Sequence, residues 1–288
     1  MEYTLEWIGE LSLKILGRFH EERVGKIVQG FKNTAYIKTV DDELICLTSY
    51  LTKAPMNLNF KGELDFRSLD YNDAEVIITN DGLQIKDTRF IMNYNRVYLG
   101  KKRFDIKNGV HLRALFAARA ISLFDLSGSL LDPQSPFFKD LSYLTKAVSN
   151  FVSDHNFDKV QEYIPSLIGL GNGFTPSGDD FLVGFLFCLN QSLLCRDCPT
   201  MNIRIKGNTN WVSKKFIEYS QAGYVIEPIE KFVDSLFAQK DEVIISALAD
   251  LMRIGHSSGI DASVGVLFAT ALHGKKEFCE SMHDTLSL

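Results

Sequence analysis

The hydrophobic period of this 288-residue sequence changes near residue 108. Before that point, β-branched and apolar residues partly alternate in short runs such as Val24–Gln29 and Thr34–Val40, which is typical of strands. After that point, apolar residues recur at the three-to-four-residue spacing of helices. The change predicts an α+β fold, with a β-rich part over residues 1–108 and a mainly helical part over residues 109–288.

Local signals refine both parts. Asn80-Asp81-Gly82 predicts a hairpin turn, because Asp-Gly accepts the positive φ that tight turns require. Leu5–Leu16 has helical spacing, so we expect a helix that packs across the sheet. Val160–Ile168 also has helical spacing, and Pro165 is expected to break it.

Composition excludes several classes of protein. The formal net charge is -5 and the sequence contains no strongly basic segment, so a nucleic-acid partner is not expected. No apolar run reaches the roughly 18 residues that span a bilayer, and Glu2, Glu6 and Glu10 stand where a signal peptide would carry positive charge. We therefore expect a cytoplasmic protein without a membrane partner. Cys195 and Cys198 have C-x-x-C spacing, but a structural zinc site would need a second ligand pair and none is evident.

One glycine-rich segment, Gly169–Asp180, precedes a strongly apolar helical run. Its glycines allow unusual φ angles and close backbone approach to a ligand, and its last residues are good helix caps. A loop of this kind at a helix N-terminus presents free N–H groups and the positive end of the helix dipole, which favours an anion. The segment lacks the Gly-Lys-Ser/Thr of a nucleotide-binding P-loop and the spacing of a dinucleotide fingerprint.

A second segment, Gly255–Asp261, also precedes an apolar run. The ten residues from Ser177 and the ten from Ser258 agree at six positions with a constant offset of 81. We interpret this as an internal repeat of one device, Ser-Gly-x-Asp at a helix start with a glycine four residues later. Gly184 and Gly265 would let the two helices cross closely, which would bring Asp180 and Asp261 towards one point.

These two segments supply the candidate site residues. We expect substrate binding by a set of backbone and hydroxyl groups: Gly169, Gly171, Gly173, Thr175, Ser177, Gly178, Asp179, Ser257, Ser258 and Gly259. Asp180, His256 and Asp261 are the candidate catalytic residues, because carboxylates and histidine transfer protons near neutral pH. Asp179, Asp180 and Asp261 are also candidate Mg²⁺ ligands. The alternative interpretation is structural, with the aspartates capping their own helices and His256 hydrogen-bonded within its loop.

A third, weaker segment contains Gly207-Asn208-Thr209-Asn210 and Ser213, with Ala222, Gly223 and Glu227-Pro228 further on. Its polar run predicts a turn followed by a capped helix that lines the same cleft.

The two glycine-rich segments resemble the signature of the bacterial AllH family. That signature is a Gly-Leu-Gly-x-Gly-x-Thr-Pro-Ser-Gly-Asp-Asp run, followed some 80 residues later by Gly-His-Ser/Thr-Ser-Gly-x-Asp; here these are Gly169–Asp180 and Gly255–Asp261. The resemblance covers the C-terminal half, including Thr209, Ala222 and Gly223, and is vague over residues 1–105.

The resemblance implies a function in allantoin degradation. AllH is a subunit linked to an oxamate carbamoyltransferase, so the implied reaction is phosphorolysis of oxalurate to oxamate and carbamoyl phosphate. The implied partners are a small anionic metabolite and other subunits of the carbamoyltransferase complex. The alternative hypothesis is a non-catalytic subunit that binds a small anion or supports a partner.

Overall fold

The computed structural model describes residues 1–20, 22–50, 52–67, 71–93, 95–100, 104, 109–135, 138–154, 157–191, 201, 203–205, 209–237, 241–272, 281 and 285. The chain divides into two compact units, Met1–Lys101 and Lys102–Leu288. The first is built from strands and the second from helices, so the predicted α+β class is confirmed. Within the described residues, no helix combines the length and the apolar character needed to cross a bilayer.

The described residues of the first unit form nine strands in one sheet. In chain order the strands are β1 Glu2–Gly9, β2 Arg23–Gly30, β3 Thr34–Thr39, β4 Leu44–Thr48, β5 Asn57–Phe60, β6 Glu75–Thr79, β7 Gly82–Ile85, β8 Thr88–Ile91 and β9 Val97–Tyr98. Their order in the sheet is β5-β4-β3-β2-β6-β7-β8-β1-β9, and β5 also pairs with β1. That pairing closes eight of the strands around a separate apolar core that includes Leu5, Ile27 and Phe90.

The prediction of a helix over Leu5–Leu16 is wrong for the first half of this segment. β1 occupies Glu2–Gly9, and the helix α1 begins at Glu10 and ends at Leu16. Leu5 and Ile8 are fully buried in β1, whose residues pair with β5, β8 and β9. Pairing on both sides of the strand outweighs the local helical spacing of these two residues. The hairpin predicted at Asn80–Gly82 is confirmed, since β6 and β7 pair antiparallel there.

The second unit contains the predicted helices. They are α2 Val110–Ile121, α3 Phe138–Asp154, α4 Asp158–Tyr163, α5 Ser177–Gln191, α6 Trp211–Gln221, α7 Glu227–Phe237, α8 Asp241–Leu251 and α9 Ser258–Ala271. A 3₁₀ helix at Ile164–Leu167 follows α4 where Pro165 was expected to interrupt the helix. Every residue from Gly259 to Ala271 is buried, so α9 is the central helix. A helix that is apolar on all sides belongs in such a position.

The helix α5 packs along α9, and α2, α3, α7 and α8 also contact α9. The apolar core of this unit includes Phe181, Phe185 and Phe268, and the ring of Phe181 lies edge-on to Phe268 with centroids 5.5 Å apart. The two helix N-termini that carry the sequence motifs thus belong to a closely packed and largely buried helix pair.

Candidate functional site

The crossing of α5 and α9 is set by two glycines. A Cβ on Gly184 would lie 2.0 Å from the carbonyl oxygen of Ala262, and a Cβ on Gly265 would lie 2.0 Å from that of Phe181. No side chain fits at either point. The two contacts are reciprocal, because Ala262 and Gly265 follow Phe181 and Gly184 by the same 81 residues. The internal repeat therefore forms a locally two-fold symmetric helix pair, and the close crossing predicted from the sequence is observed.

The starts of both helices are packed in the same way. A Cβ on Gly178 would meet the carbonyl oxygen of Leu167 at 2.0 Å, and a Cβ on Gly259 would meet that of Leu251 at 2.0 Å. The hydroxyls of Thr175 and Ser258 lie 3.3 Å apart. The two glycine-rich segments thus lie side by side, each at a helix N-terminus, as the repeat predicted.

Three glycines shape the loop before α5. Gly169, Gly171 and Gly173 have φ angles of 74°, 111° and 107°, which favour glycine. A Cβ on Gly171 would lie 2.8 Å from the backbone nitrogen of Ser177, so this glycine also permits the loop to fold against the first residue of the helix.

Asp179 anchors this loop. Its Oδ1 accepts the N–H of Gly169 at 2.8 Å, and its Oδ2 accepts the hydroxyl of Ser213 at 2.7 Å and that of Thr209. The side chain is 1% exposed. Both oxygens of Asp179 therefore accept hydrogen bonds from the protein itself, which is the pattern of a structural anchor.

The third sequence segment contributes to the same anchor. Asn210 caps α6 by accepting the N–H of Ser213 at 2.9 Å, and its side-chain amide donates to the carbonyl oxygen of Phe174. Thr209 and Ser213 bind Asp179 from this segment. Gly207 and Asn208 lie outside the described residues, as do Cys195 and Cys198.

A fourth segment, the loop 122–132 after α2, was not found from the sequence. The carbonyl oxygen of its Gly128 accepts the hydroxyl of Ser177 at 3.3 Å, and the N–H of its Leu130 donates to Oδ1 of Asp261 at 2.7 Å. Both contacts use backbone groups of the loop. Ser127-Gly128-Ser129 is a turn signal that could have marked it, and Gly128 does have a φ of 74°.

Asp180 and Asp261, which are equivalent in the repeat, form a carboxyl pair between the two helices. Asp261 is fully buried, and Asp180 is partly exposed. Each contacts the other helix start, since the hydroxyl of Ser258 favours the charged form of Asp180 and that of Ser177 favours the charged form of Asp261. The serine at the start of each helix thus interacts with the aspartate of the other helix.

Burial dominates the protonation of this pair. Removal from water raises the pKa of Asp180 well above its ordinary value, and the charge of Asp261 raises it further. Burial likewise raises the pKa of Asp261 to about 7, while the N–H of Leu130 and the hydroxyls of Ser177 and Ser257 oppose the rise. Burial therefore disfavours the charged form of both carboxyls.

The rim of the site is open to solvent. Asn172 and Gly173 are exposed, while Thr175, Ser257 and Ser258 are partly exposed. In the described part of the chain, the backbone N–H groups of Ser177 and Ser258 donate no backbone hydrogen bond. Ser258 is partly exposed, whereas Ser177 lies buried beneath the rim. Unpaired N–H groups at helix N-termini are suited to hold the oxygens of an anion.

His256 lies on the exposed rim. His256 interacts electrostatically with Asp125 of the loop 122–132. The pKa of Asp125 is lowered mainly by hydrogen bonds from Ser127 and to a smaller extent by the charge of His256. The arrangement places an imidazole near the two helix starts without burying it.

The three candidate Mg²⁺ ligands have different surroundings. Among the residues that the structure describes, no group of three or more His, Cys, Asp or Glu side chains is arranged to hold a metal ion. The oxygens of Asp179 are bound elsewhere, which leaves Asp180 and Asp261 as the two remaining carboxyls of the proposed set. Asp180 and Asp261 stay the candidate Mg²⁺ ligands here, since Mg²⁺ is commonly bound through one or two carboxylates.

The comparison with protein families agrees with the motifs. Residues 167–270 match the family described as oxamate carbamoyltransferase subunit AllH. The match spans both glycine-rich segments and the whole of α5 and α6, so the resemblance inferred from the sequence is confirmed over this region. No solved structure matches the chain.

Proposed function

We propose that the chain is a subunit of an oxamate carbamoyltransferase-like enzyme that binds a small anionic substrate at the paired N-termini of α5 and α9. The observation that carries the proposal is the meeting of two equivalent helix starts with unpaired N–H groups at Ser177 and Ser258. Two helix dipoles and these two backbone donors at one point favour a phosphate or carboxylate. The family match over the same residues supports a substrate of the oxamate carbamoyltransferase reaction.

The implied reaction transfers a carbamoyl group between the nitrogen of oxamate and phosphate. Both oxalurate and phosphate are anions, so a site that offers N–H groups and hydroxyls suits either. The partly exposed hydroxyls of Thr175, Ser257 and Ser258 would orient the ligand, and Asp180 or His256 would transfer the proton. Other subunits of the complex and a cytoplasmic location are part of the same proposal.

A second candidate is a non-catalytic subunit that binds a small anion or supports a partner. It is favoured by the burial of Asp261, which is 0% exposed and so cannot touch a ligand as placed. Only one carboxyl of the pair then remains available for chemistry at the rim.

The test of binding is a thermal-melt panel of the full chain with oxalurate, oxamate, carbamoyl phosphate and phosphate, each with and without Mg²⁺. Ligand that binds the folded state raises the melting temperature in a concentration-dependent way. Urea, which has the carbamoyl group without the negative charge, is the control at equal concentration. No shift with any of the four anions would contradict the proposed site.

The test of catalysis is phosphate-dependent carbamoyl transfer by the reconstituted complex, with Asp180→Asn compared against Asp234→Asn. Asp234 is exposed on α7 and supplies a matched loss of one carboxylate away from the site. Loss of activity in Asp180→Asn alone supports a catalytic subunit. Full activity in both variants, together with retained anion binding, would favour the non-catalytic candidate.

A further inference from the structure

The loop 122–132 contacts only one member of each pair of equivalent positions in the repeat. The hydroxyl of Ser177 donates to the carbonyl oxygen of its Gly128 at 3.3 Å, and the N–H of its Leu130 donates to Oδ1 of Asp261 at 2.7 Å. The loop therefore gives the starts of α5 and α9 different surroundings, although their sequences repeat.

The two contacted side chains are covered, and their counterparts are open. Ser177 is 3% exposed and Asp261 is fully buried; we call these two residues the covered pair. Ser258 and Asp180, at the equivalent positions, are partly exposed, as is Thr175, whose hydroxyl lies 3.3 Å from that of Ser258. We call these three residues the open group. The side chains that a ligand can reach thus lie on one side of the helix junction.

Asp132 fixes the loop in this position. Its Oδ2 accepts the N–H of Gly128 at 3.0 Å, and its Oδ1 accepts the N–H of Gln134 at 2.9 Å. Leu130 lies between these two residues in the chain and is buried in the apolar core of the second unit. One carboxylate thus ties together both ends of the segment whose N–H reaches α9.

This asymmetry affects how a ligand is oriented. Two equivalent half-sites related by a local two-fold axis would bind an unsymmetrical ligand in two orientations. Covering one half leaves one orientation. Oxamate is unsymmetrical, with a carboxylate at one end and an amide at the other, and a reaction at its nitrogen requires that nitrogen to be held in one place.

We propose that the loop 122–132 makes the site one-sided: the loop closes the covered pair, the side chains of the open group contact the ligand, and Asp132 is the positioning residue that holds the loop in place. The part that concerns the ligand rests on the proposed function. The role of Asp132 in holding the loop does not, since it follows from contacts within the protein.

The first test follows hydrogen exchange of the Leu130 amide by NMR in the ligand-free full chain. This N–H is donated to a buried carboxylate, so it exchanges only when the loop opens. Asp132→Ala removes the acceptor of two backbone N–H groups and should speed the exchange by about tenfold or more. Asp132→Asn keeps one of the two acceptor oxygens and should give an intermediate rate.

Asp234→Ala, on the exposed face of α7, is the control and should leave the exchange rate of the Leu130 amide unchanged. Fast exchange in the parent would mean that the loop is not closed, and this measurement needs no variant to fold. An unchanged rate in Asp132→Ala would mean that the buried leucines hold the loop without Asp132. Either result overturns the assignment.

The second test uses the repeat as its own control. Ser258→Ala and Ser177→Ala are the same substitution at equivalent positions, the first residues of α9 and α5. Calorimetry at pH 7 measures oxamate affinity. We expect Ser258→Ala to weaken binding by about fivefold more than Ser177→Ala, because only the hydroxyl of Ser258 belongs to the open group. A loss in Ser177→Ala as large as in Ser258→Ala overturns the one-sided site.

The positioning role of Asp132 has a readout that stability alone does not change. At a temperature where the protein is fully folded, Asp132→Ala should weaken oxamate binding severalfold, and Asp132→Asn should restore part of the affinity. Ile244→Val removes one methyl group from a fully buried position of α8, so it lowers stability without touching the loop and should leave oxamate affinity unchanged. Equal affinities in Asp132→Ala and Ile244→Val overturn the positioning role.

The outcomes separate this inference from the proposed function. If exchange of the Leu130 amide responds to Asp132→Ala but the parent does not bind oxamate, the proposed function fails and the role of Asp132 in the loop stands. If oxamate binds the parent but the two serine variants lose affinity equally, the anion site stands and one-sided binding fails.

Discussion

Asp179 and Asp180 are adjacent in the chain but have opposite surroundings. Successive residues of a helix point in directions about 100° apart, so Asp179 faces Gly169, Thr209 and Ser213, while Asp180 faces α9. The first carboxylate accepts three hydrogen bonds from the protein, whereas Oδ2 of the second accepts none from the described residues. We therefore expect Asp179 to contribute more to stability than Asp180.

Replacing Asp179 by alanine is expected to destabilise the protein by about 3 kcal/mol, because it leaves the buried N–H of Gly169 and the hydroxyls of Thr209 and Ser213 without an acceptor. Urea unfolding at pH 7 measures the change. Asp234→Ala on the exposed face of α7 is the control and should have little effect. If Asp179→Ala lowered the free energy of unfolding by no more than the control does, the hydrogen bonds of Asp179 would contribute nothing to stability.

The carboxyl pair predicts an unusual dependence of stability on pH. The pKa of Asp261 is about 7 in the folded protein against an ordinary 3.8, and that of Asp180 is also raised. Between these values the folded state holds protons that the unfolded state has lost, so the free energy of unfolding falls as pH rises from about 4 to 7. The expected slope is about 1.4 kcal/mol per pH unit for each proton held.

Urea unfolding of the parent and of the Asp180→Asn, Asp261→Asn double variant at several pH values measures this slope. The double variant should lose it, because asparagine does not titrate. Four other aspartates have lowered pKa values and act in the opposite direction, with stability lost as pH falls below about 4. They are the exposed Asp65, Asp81 and Asp125 and the partly exposed Asp132. They are the same in both proteins and cancel in the difference. Identical slopes would show that the pair is ionised normally.

At the scale of elements, the crossing of α5 and α9 determines where the motifs meet. Gly184→Ala or Gly265→Ala places a methyl group 2.0 Å from a backbone carbonyl oxygen of the other helix, so the helices must separate. We expect a loss of about 1–3 kcal/mol in each variant, as for other overpacked cores. Denaturant melts measure the loss, and both variants should also weaken oxamate binding because the helix starts move apart.

Gly17→Ala is the matched control for these variants. Gly17 follows α1 with an ordinary φ of -64°, and a Cβ there meets nothing closer than 3.3 Å. Its substitution should be close to neutral. If Gly184→Ala and Gly265→Ala were as stable as Gly17→Ala, the close crossing would not be a constraint on the fold.

The sequence predicted those parts of the site that depend on the identity of a residue. Gly184 and Gly265 predicted the close crossing of α5 and α9. The pattern is local, since in both helix starts a glycine follows an aspartate by four residues. The loop 122–132 could not be predicted in the same way, since Gly128 and Leu130 reach Ser177 and Asp261 through a carbonyl oxygen and an N–H. Every residue carries those groups, so only the fold reveals which of them are used.

The first strand shows a second limit. Leu5 and Ile8 are three residues apart, a spacing that fits one face of a helix, and the buried residues of α1 continue it at Ser12, Ile15 and Leu16. A prediction from periodicity alone therefore treats the strand β1 and the helix α1 as one helix. The pairing of β1 with β5, β8 and β9 is non-local, and no pattern within residues 1–16 encodes it.

At the scale of the whole molecule, the two units have separate apolar cores. The core of the first includes residues up to Met92, and that of the second begins at Phe104. Every candidate site residue, and every described side chain that anchors one, belongs to the second unit. A unit with its own core is expected to fold without the other.

We therefore expect the fragment 102–288 to fold and to retain the site. Circular dichroism should show a helical spectrum with one cooperative melt, and oxamate should raise the melting temperature of the fragment by about as much as that of the full chain, because the same groups bind it in both. Gly265→Ala in the fragment is the control, since it should reduce the oxamate effect there as in the full chain. A fragment that melts cooperatively but does not respond to oxamate, while the full chain does, would mean that the first unit is required for binding. The site would then extend beyond the two helix starts.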